Sequence, residues 1–316
     1  MSESPSGPVF RNASEVAELL PWPELIDGIE DILTQDGAFA PERTVHTVPH
    51  PTAQDGAMLL KPGWVVGDVI AVKVVTFFPD NGSLDLPTIN AGVLMFSAAD
   101  GTLLGACDGN ELTTRRTAAA SAIAAKRLAR ADTSRLLVVG TGALSPMTAE
   151  AHCAVRDFEM VDVWGRDPDK AQRVANRLVT ANIPARQVDD LDAAVAEADV
   201  ITCVTGATSP LVKGALLKPG THVDLIGAFT PEMRESDDDV IRRGTVFLDT
   251  RSDGSISGDI SQPIDSGIMT MDDVAADLVE LVNGTHRGRS SNDEITVFKS
   301  AGFALEDVAA ARLVFA

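Results

Sequence analysis

Two groups of residues in this 316-residue chain could do chemistry. The first is a glycine-rich turn, Gly140-x-Gly142-x-x-Ser145, within RLLVVGTGALSPMTAEAH at 135–152. An apolar strand precedes it and a helical stretch follows. That is the context in which Gly140 allows a tight turn and Gly142 lets the backbone approach a pyrophosphate seated on a helix N-terminus. The third position is Ser145 rather than glycine, so the motif alone is weak, and a purely structural strand-to-helix turn is the plain alternative. The second group is a set of cations in apolar surroundings. Lys73 stands in IAVKVVTFF, Arg43 begins a strand-like run, and Arg116 lies inside an alanine-rich helix. A lysine among buried neighbours must be paired or give up its proton. Each of these cations, taken singly, reads as readily as a snorkelling or salt-bridged residue.

Other constellations carry less. His46 and His50 are four apart, but Pro49 and Pro51 keep a helix from aligning them, and no HExxH or HxH pattern occurs. Asp237, Asp238 and Asp239 stand together in a run from Glu235 that reads as the acidic start of a helix, not as a metal site. No metal is expected. Cys107, Cys153 and Cys203 are odd in number and far apart, which fits a reducing, cytoplasmic setting better than a disulfide framework. Trp22, Trp64 and Trp164 read as packing residues. The formal net charge of −20 argues against nucleic acid and anionic lipid as partners, although a local basic pocket can still hold a small anion. The polar start, Met1 to Pro8, lacks the basic and apolar regions of a secretory signal, and no apolar run reaches the ~18 residues of a membrane span.

These residues need elements to position them. Pro23 to Gln35 reads as an amphipathic helix, followed by strand-like runs at 43–48, 69–77 and 92–96. Asp80-Asn81-Gly82 and Ala99-Asp100-Gly101 read as turns, the second leading into a return strand at 103–106. Thr113 to Arg130 reads as one long helix joining two domains. From Arg135 short apolar strands (136–139, 161–164, 200–204, 222–226, 246–248) alternate with helical stretches (149–156, 170–179, 191–197, 235–242). Such alternation implies a parallel sheet covered on both faces. A further helix is expected over 272–282, and an amphipathic one over 305–314. The alternation makes nucleotide binding the stronger reading of the glycine turn. The strand ending at Val163-Trp164 is followed by Gly165, Arg166 and Asp167, where an NAD site offers a carboxylate to the ribose. Glycine in that place with Arg166 beside it favours NADP over NAD, the guanidinium pairing a 2′-phosphate. If Asp167 turned inward the preference would reverse. Otherwise Arg166 is a solvated loop residue and Asp167 caps the helix that starts at Pro168.

The stretches LTTRRTAAASAIAA (112–125), VVGTGAL (138–144), KVVTFFPDN (73–81) with LPT (86–88), GAFTPEMRE (227–235) and ITVFKSAGFALEDVAAA (295–311) resemble the ornithine cyclodeaminase/μ-crystallin family over most of the chain, in the same order. The resemblance implies an α/β fold: a Rossmann-type doubly wound parallel sheet, here at 116–302, plus an α+β substrate and dimerisation domain from both chain ends, at 1–115 and 303–316. It implies a homodimer. It also implies that Arg43, Lys73 and Arg116 hold a substrate carboxylate. Thr88, Thr117, Ala143, Leu144, Thr205, Ile226 and Ser300 match positions near the dinucleotide, and Ala301 one beside the substrate.

Two departures from the family pattern matter. Leu144 stands where many members have Gln. Phe229 stands where the cyclodeaminases carry an Asp that handles the substrate amine, and a phenyl ring can neither accept a proton nor neutralise an ammonium. The chain is most similar to the cyclic ketimine reductases, which implies NAD(P)H-dependent reduction of Δ1-pyrroline-2-carboxylate or Δ1-piperideine-2-carboxylate. Phe229 would then form an apolar wall, and Lys73, or a water it orients, would protonate or polarise the nitrogen. The competing expectations are an ornithine cyclodeaminase or alanine dehydrogenase, which needs a substitute for the missing Asp, and a non-catalytic NADP-dependent binding protein.

Overall fold

The computed structural model describes residues 7–316, the side chain of Asp253 apart. Residues 1–6 of the polar start read for a targeting signal lie outside them. The chain forms two compact units, one of residues up to Arg116 together with Ala304–Ala316, the other of Thr117–Phe303. The helix Gly109–Leu128 runs through the boundary.

The first unit is built on a seven-stranded sheet. Its order is Val9–Arg11, Leu103–Asp108, Ile89–Ser97, Val69–Phe77 and Gly56–Val65, with Thr44–Val48 and Ala38–Phe39 both pairing with the far edge of Gly56–Val65. Strand 9–11 runs parallel to its neighbour and the rest pair antiparallel. The hairpin at Asp100-Gly101 forms as expected, with Gly101 at φ +78°, in the left-handed region that suits glycine. Strand 56–65 is not among the runs expected from the sequence, and it carries Pro62 and Gly63 in its interior. Proline is tolerated here because the strand's outer edge is interrupted: one partner strand ends opposite Leu60 and the other begins opposite Trp64. Asp80-Asn81-Gly82 lies within a 3-10 turn, Pro79–Leu84, rather than a simple hairpin turn.

The C-terminal helix covers one face of this sheet, and helix Trp22–Thr34 packs on that helix. Helix Trp22–Thr34 buries Leu25, Ile26, Ile29, Ile32 and Leu33, the stripe that its periodicity predicts. The C-terminal helix Ala304–Val314 packs on it and on strands 56–65 and 69–77. A side chain at Gly63 would meet Val308 Cγ2 at 2.7 Å, so this helix lies directly on the strand backbone. The expectation of an amphipathic helix fails here. Every residue from Ala304 to Ala311 is buried, including Glu306 and Asp307, which a sequence reading places on a polar face.

The second unit is an eight-stranded, wholly parallel sheet in the order 185–187, 160–164, 135–139, 200–203, 222–225, 295–299, 244–248, 276–277. Alternate residues of its central strands enter different cores: Leu137, Val139, Ile201 and Val223 one, Leu136, Val138, Val161 and Val163 the other. Both faces are therefore covered, as continuous apolar strands require. The chain starts at strand 135–139, proceeds outward on one side through 160–164 and 185–187, then returns to 200–203 on the other. That reversal is the topological switch point where Rossmann-type sheets take ligands. The helix expected over 272–282 is not continuous. A 3-10 turn (Met271–Asp273), a short edge strand (Ala276–Asp277) and a one-turn helix (Leu278–Val282) replace it. Asp277 caps that short helix through a reciprocal box with Glu280, which restarts the chain after the strand. The helix expected from Glu235 begins at Asp238, capped by Asp237, and Glu235 is buried outside it.

Candidate active site

In the first unit, antiparallel pairing places Lys61 directly opposite Lys73, so both side chains project from the same face of the sheet. That face lies under the C-terminal helix. Lys73 Nζ is 2.7 Å from Asp307 Oδ1 and Lys61 Nζ is 3.9 Å from Oδ2. Arg116 reaches the same place from its helix, with Nε 2.8 Å from Asp307 Oδ1 and a terminal nitrogen 2.7 Å from Glu306 Oε2. All five side chains are buried. Three cations thus face two carboxylates in a dry environment. Arg43, half-buried, immediately precedes strand 44–48. Continuing that strand's register by one residue sets it across from Lys61. The sequence reading found Lys73 and Arg116 but missed Lys61, Glu306 and Asp307. Lys61 lies in a strand that the sequence reading did not assign, and the two acids lie on a helix read as amphipathic. The one available signal was that this helix carries no other polar residue before Arg312.

Electrostatics follow from burial. Desolvation presses the Lys73 ammonium well below the usual lysine range. Arg116 and Lys61 press in the same direction, and Asp307 opposes them. Burial would raise the Asp307 carboxyl, but Arg116, Lys73 and Lys61 overcome it and hold the group at about 2. Asp307 is a fixed anion. Lys73 is a cation short of compensating charge.

In the second unit a crevice of about 680 Å³ opens at the switch point. It is lined by Gly140, Thr141 and Gly142 from the loop after strand 135–139, by Trp164 to Asp167 and Lys170 after strand 160–164, and by Val204 to Ser209 and Leu211 after strand 200–203. Gly140 is at φ +130°, and a side chain there would lie 2.8 Å from Val204 O. A side chain on Gly142 would meet nothing within 4 Å, so its backbone faces open space. The loop leads into helix Leu144–Val155, whose N-cap Ala143 offers no side-chain cap, while Ser145 N donates to Gly142 O at 3.1 Å. These features fit a dinucleotide pyrophosphate. Among the expected cofactor residues, Gly140, Gly142, Arg166 and Thr205 line this crevice, and Ala143 lines a smaller adjoining one with Lys170 and Arg173.

The remaining expected residues lie elsewhere. Leu144 and Ile226 pack into a core. Thr117 is buried in helix 109–128, and Thr88 lies in the first unit, where its carbonyl accepts from Phe78 N. Ser300 Oγ donates to Asp249 Oδ2 at 3.3 Å and Ala301 N donates to the same oxygen at 2.7 Å, so Asp249 shapes that loop. Phe229 is 42% exposed on the loop after strand 222–225.

The ribose end of the crevice separates the two cofactor readings. Asp167 also lines the crevice. Its carboxylate caps helix Pro168–Thr180 by accepting from Lys170 N at 3.1 Å. A side chain at Gly165 would lie 2.3 Å from Thr141 Cγ2, so an acid there requires the Thr141 side chain to move. Arg166 and Lys170, both exposed, line the crevice as well.

The match to known proteins agrees with this geometry. The model of the Ornithine cyclodeaminase/mu-crystallin family matches residues 7–316. The chain belongs to that family. It is 36% identical over 318 residues to a Delta(1)-pyrroline-2-carboxylate reductase of Paracoccus denitrificans, covering 98% of this chain and 96% of that one. Its fold matches the Thermococcus litoralis Delta(1)-pyrroline-2-carboxylate reductase, solved with NADH and L-proline, at a TM-score of 0.91 and 30% identity over 97% and 96% of the two chains. An archaeal alanine dehydrogenase dimer with bound NAD is similar at a TM-score of 0.89 and 27% identity, covering 98% and 95%. Among the described residues no helix is long and apolar enough to cross a membrane.

Proposed function

We propose that this family member is an NAD(P)H-dependent reductase of a small cyclic imino acid, Δ1-pyrroline-2-carboxylate or Δ1-piperideine-2-carboxylate, with NADPH preferred. The carrying observation is the buried set of Lys61, Lys73 and Arg116 against Glu306 and Asp307. Fully charged, it holds one positive charge in excess, the complement of a substrate with a single carboxylate. Arg116 and Lys73, with Arg43 beside the row, are assigned to that carboxylate, since guanidinium pairs with it in a bidentate fork. Gly140, Gly142 and Thr205 would hold a reduced nicotinamide dinucleotide, which when bound would supply the hydride that the C=N carbon needs. The ring nitrogen gains the proton. Lys73 is assigned to give it, because its burial makes the ammonium a ready donor and Asp307 Oδ1 at 2.7 Å orients it. Phe229 is assigned as an apolar wall and Ala301 as a small neighbour of the ring.

The preference for NADPH rests on Gly165, Arg166 and Lys170. Position 165 carries no carboxylate, and Asp167 uses Oδ1 as a helix cap, while Arg166 and Lys170 line the crevice for a 2′-phosphate. The cyclodeaminase alternative needs an acceptor for a substrate amine proton. Asp307 cannot serve, because its neighbours hold it at about 2. We further propose a homodimer formed through the first unit's open sheet face. There Pro62, Val72, Leu94 and Ala106 form an apolar cross-strand row that no helix of the unit fully covers.

Steady-state oxidation of NADPH tests the reading. Turnover is expected with one or both ring imines, yielding proline or pipecolate. Absence of turnover with both imines, under NADPH and NADH alike, overturns it.

A further inference from the structure

Behind the crevice, Glu235 is fully buried and the mechanism above makes no use of it. Its carboxylate accepts from four donors on two different loops. Oε1 takes Thr205 N at 2.6 Å and Thr205 Oγ1 at 2.9 Å, on the loop after strand 200–203. Oε2 takes Gly227 N at 2.7 Å and Ala228 N at 3.3 Å, on the loop after strand 222–225. Thr205, Gly206 and Ala207 line the crevice. The packing around this clamp has no slack. A side chain on Gly227 would lie 2.1 Å from Thr205 O and 2.7 Å from Glu235 Oε1. Glu235 is itself fixed from behind, since Asp259 Oδ1 accepts from its backbone N at 2.8 Å.

We propose that Glu235 is a positioning residue for the dinucleotide site, whose ionised carboxylate ties the two loops together and sets where Thr205 to Ala207 meet a bound nicotinamide dinucleotide. The proposal rests on the reading that the crevice holds such a cofactor. Both carboxylate oxygens act only as acceptors here. Adding a proton turns one of them into a donor facing N–H groups, so at least one loop amide loses its partner inside the protein, where that loss is costly.

The clamp is therefore sensitive to pH. The groups facing Glu235 are Asp259 on helix Gly258–Asp265, Lys299 on strand 295–299 and the Cys203 thiol on strand 200–203. Arg234 turns away to Ser236 O and Asp238. Burial raises the Glu235 carboxyl most and Asp259 raises it further. Lys299 and the Thr205 donors lower it, and the balance is about 7. Above that pH the clamp is charged and closed. Below it the loops slacken and cofactor affinity falls, by about tenfold per pH unit for one linked proton.

The test is equilibrium binding of NADH between pH 5.5 and 8.5, to the full chain and to Glu235→Gln. NADH is chosen because it lacks a 2′-phosphate, a group that itself titrates near pH ~6. The second readout is amide hydrogen exchange at Thr205 and Gly227 in the unliganded wild-type protein, corrected for intrinsic rates. The expected result is wild-type affinity that is level above about pH 7.5 and falls on acidification, with loss of protection at both amides over the same interval. Glu235→Gln is expected to bind about tenfold or more weakly at pH 8, with no pH dependence. Level wild-type affinity with unchanged protection overturns the proposal, and it does so whether or not the variant folds. Absence of any NADH or NADPH binding at pH 8 overturns the dinucleotide reading and this proposal with it.

Discussion

At the residue scale the account turns on Lys73 and Asp307. An ammonium held among other cations, with its pKa pressed well below the usual range, is stabilised by an incoming anion. Binding of a substrate-like carboxylate should therefore take up a proton. Calorimetric titration with pyrrole-2-carboxylate in buffers of different ionisation enthalpy is expected to show an uptake that grows as pH rises and the Lys73 amine loses its proton, and Lys73→Met should abolish it. The same variant should lower kcat/KM at least about a hundredfold while NADPH affinity stays within about twofold, since removing a positioned proton donor and carboxylate partner affects chemistry and substrate binding. Asp307→Asn acts in the opposite sense. It leaves Lys73 and Arg116 buried without their shared counter-charge, and removing one partner of a buried pair costs roughly 3–5 kcal/mol. Denaturant unfolding should show Asp307→Asn to be much less stable than Lys73→Met. Acid titration checks the sign. The Asp307 carboxyl sits at about 2 in the folded chain, below its ordinary 3.8. Its stabilising contribution is complete above about pH 4 and is lost as pH falls through about 2. The Asp307→Asn variant should lack that portion of the acid slope.

At the scale of elements, the nucleotide-binding core was legible because its strands are short and mostly apolar and several alternate with helices. Gly140 and Gly142 announced the loop that the structure places on the crevice. Legibility failed where tertiary contacts override local pattern. Strand 56–65 was hidden by Lys61-Pro62-Gly63, which is compatible with a strand only because two partner strands leave a gap there. Helix 304–314 was misread as amphipathic because Glu306 and Asp307 look solvated until the cations that bury them are seen. The acids of the cluster therefore could not be found from spacing, since their partners Arg116, Lys73 and Lys61 all lie far earlier in the chain, the nearest pair 190 positions apart. The packing of Gly165 on Thr141 makes a further prediction. Gly165→Asp alone should weaken both cofactors, because its side chain meets Thr141 Cγ2 at 2.3 Å. Adding Thr141→Ala removes that methyl and leaves the Cβ contact at 3.5 Å. The double variant should shift the NADH-to-NADPH preference about tenfold or more toward NADH, measured as the ratio of Kd values.

At the scale of the whole molecule, a strongly acidic chain concentrates part of its positive charge in one buried place. The global charge of −20 predicts weak attraction for polyanions, and the local excess explains how a small carboxylate can still be bound. The open sheet face belongs to this scale too. Leu94 is 38% exposed at the centre of an otherwise apolar row. Light scattering should give twice the monomer mass, and Leu94→Glu should reduce it to one without unfolding the chain. A wild-type monomer at micromolar concentration would contradict the proposed dimer.

One small carboxylate is proposed to join the buried cations. The most direct measurement is a crystal structure with NADPH and pyrrole-2-carboxylate, a flat mimic of the ring imine. The carboxylate is predicted within hydrogen-bonding distance of Lys73 Nζ and the Arg116 guanidinium, with Asp307 still paired to both. A bound anion found away from these residues, with Lys73 and Arg116 contacting only Asp307 and Glu306, would contradict it.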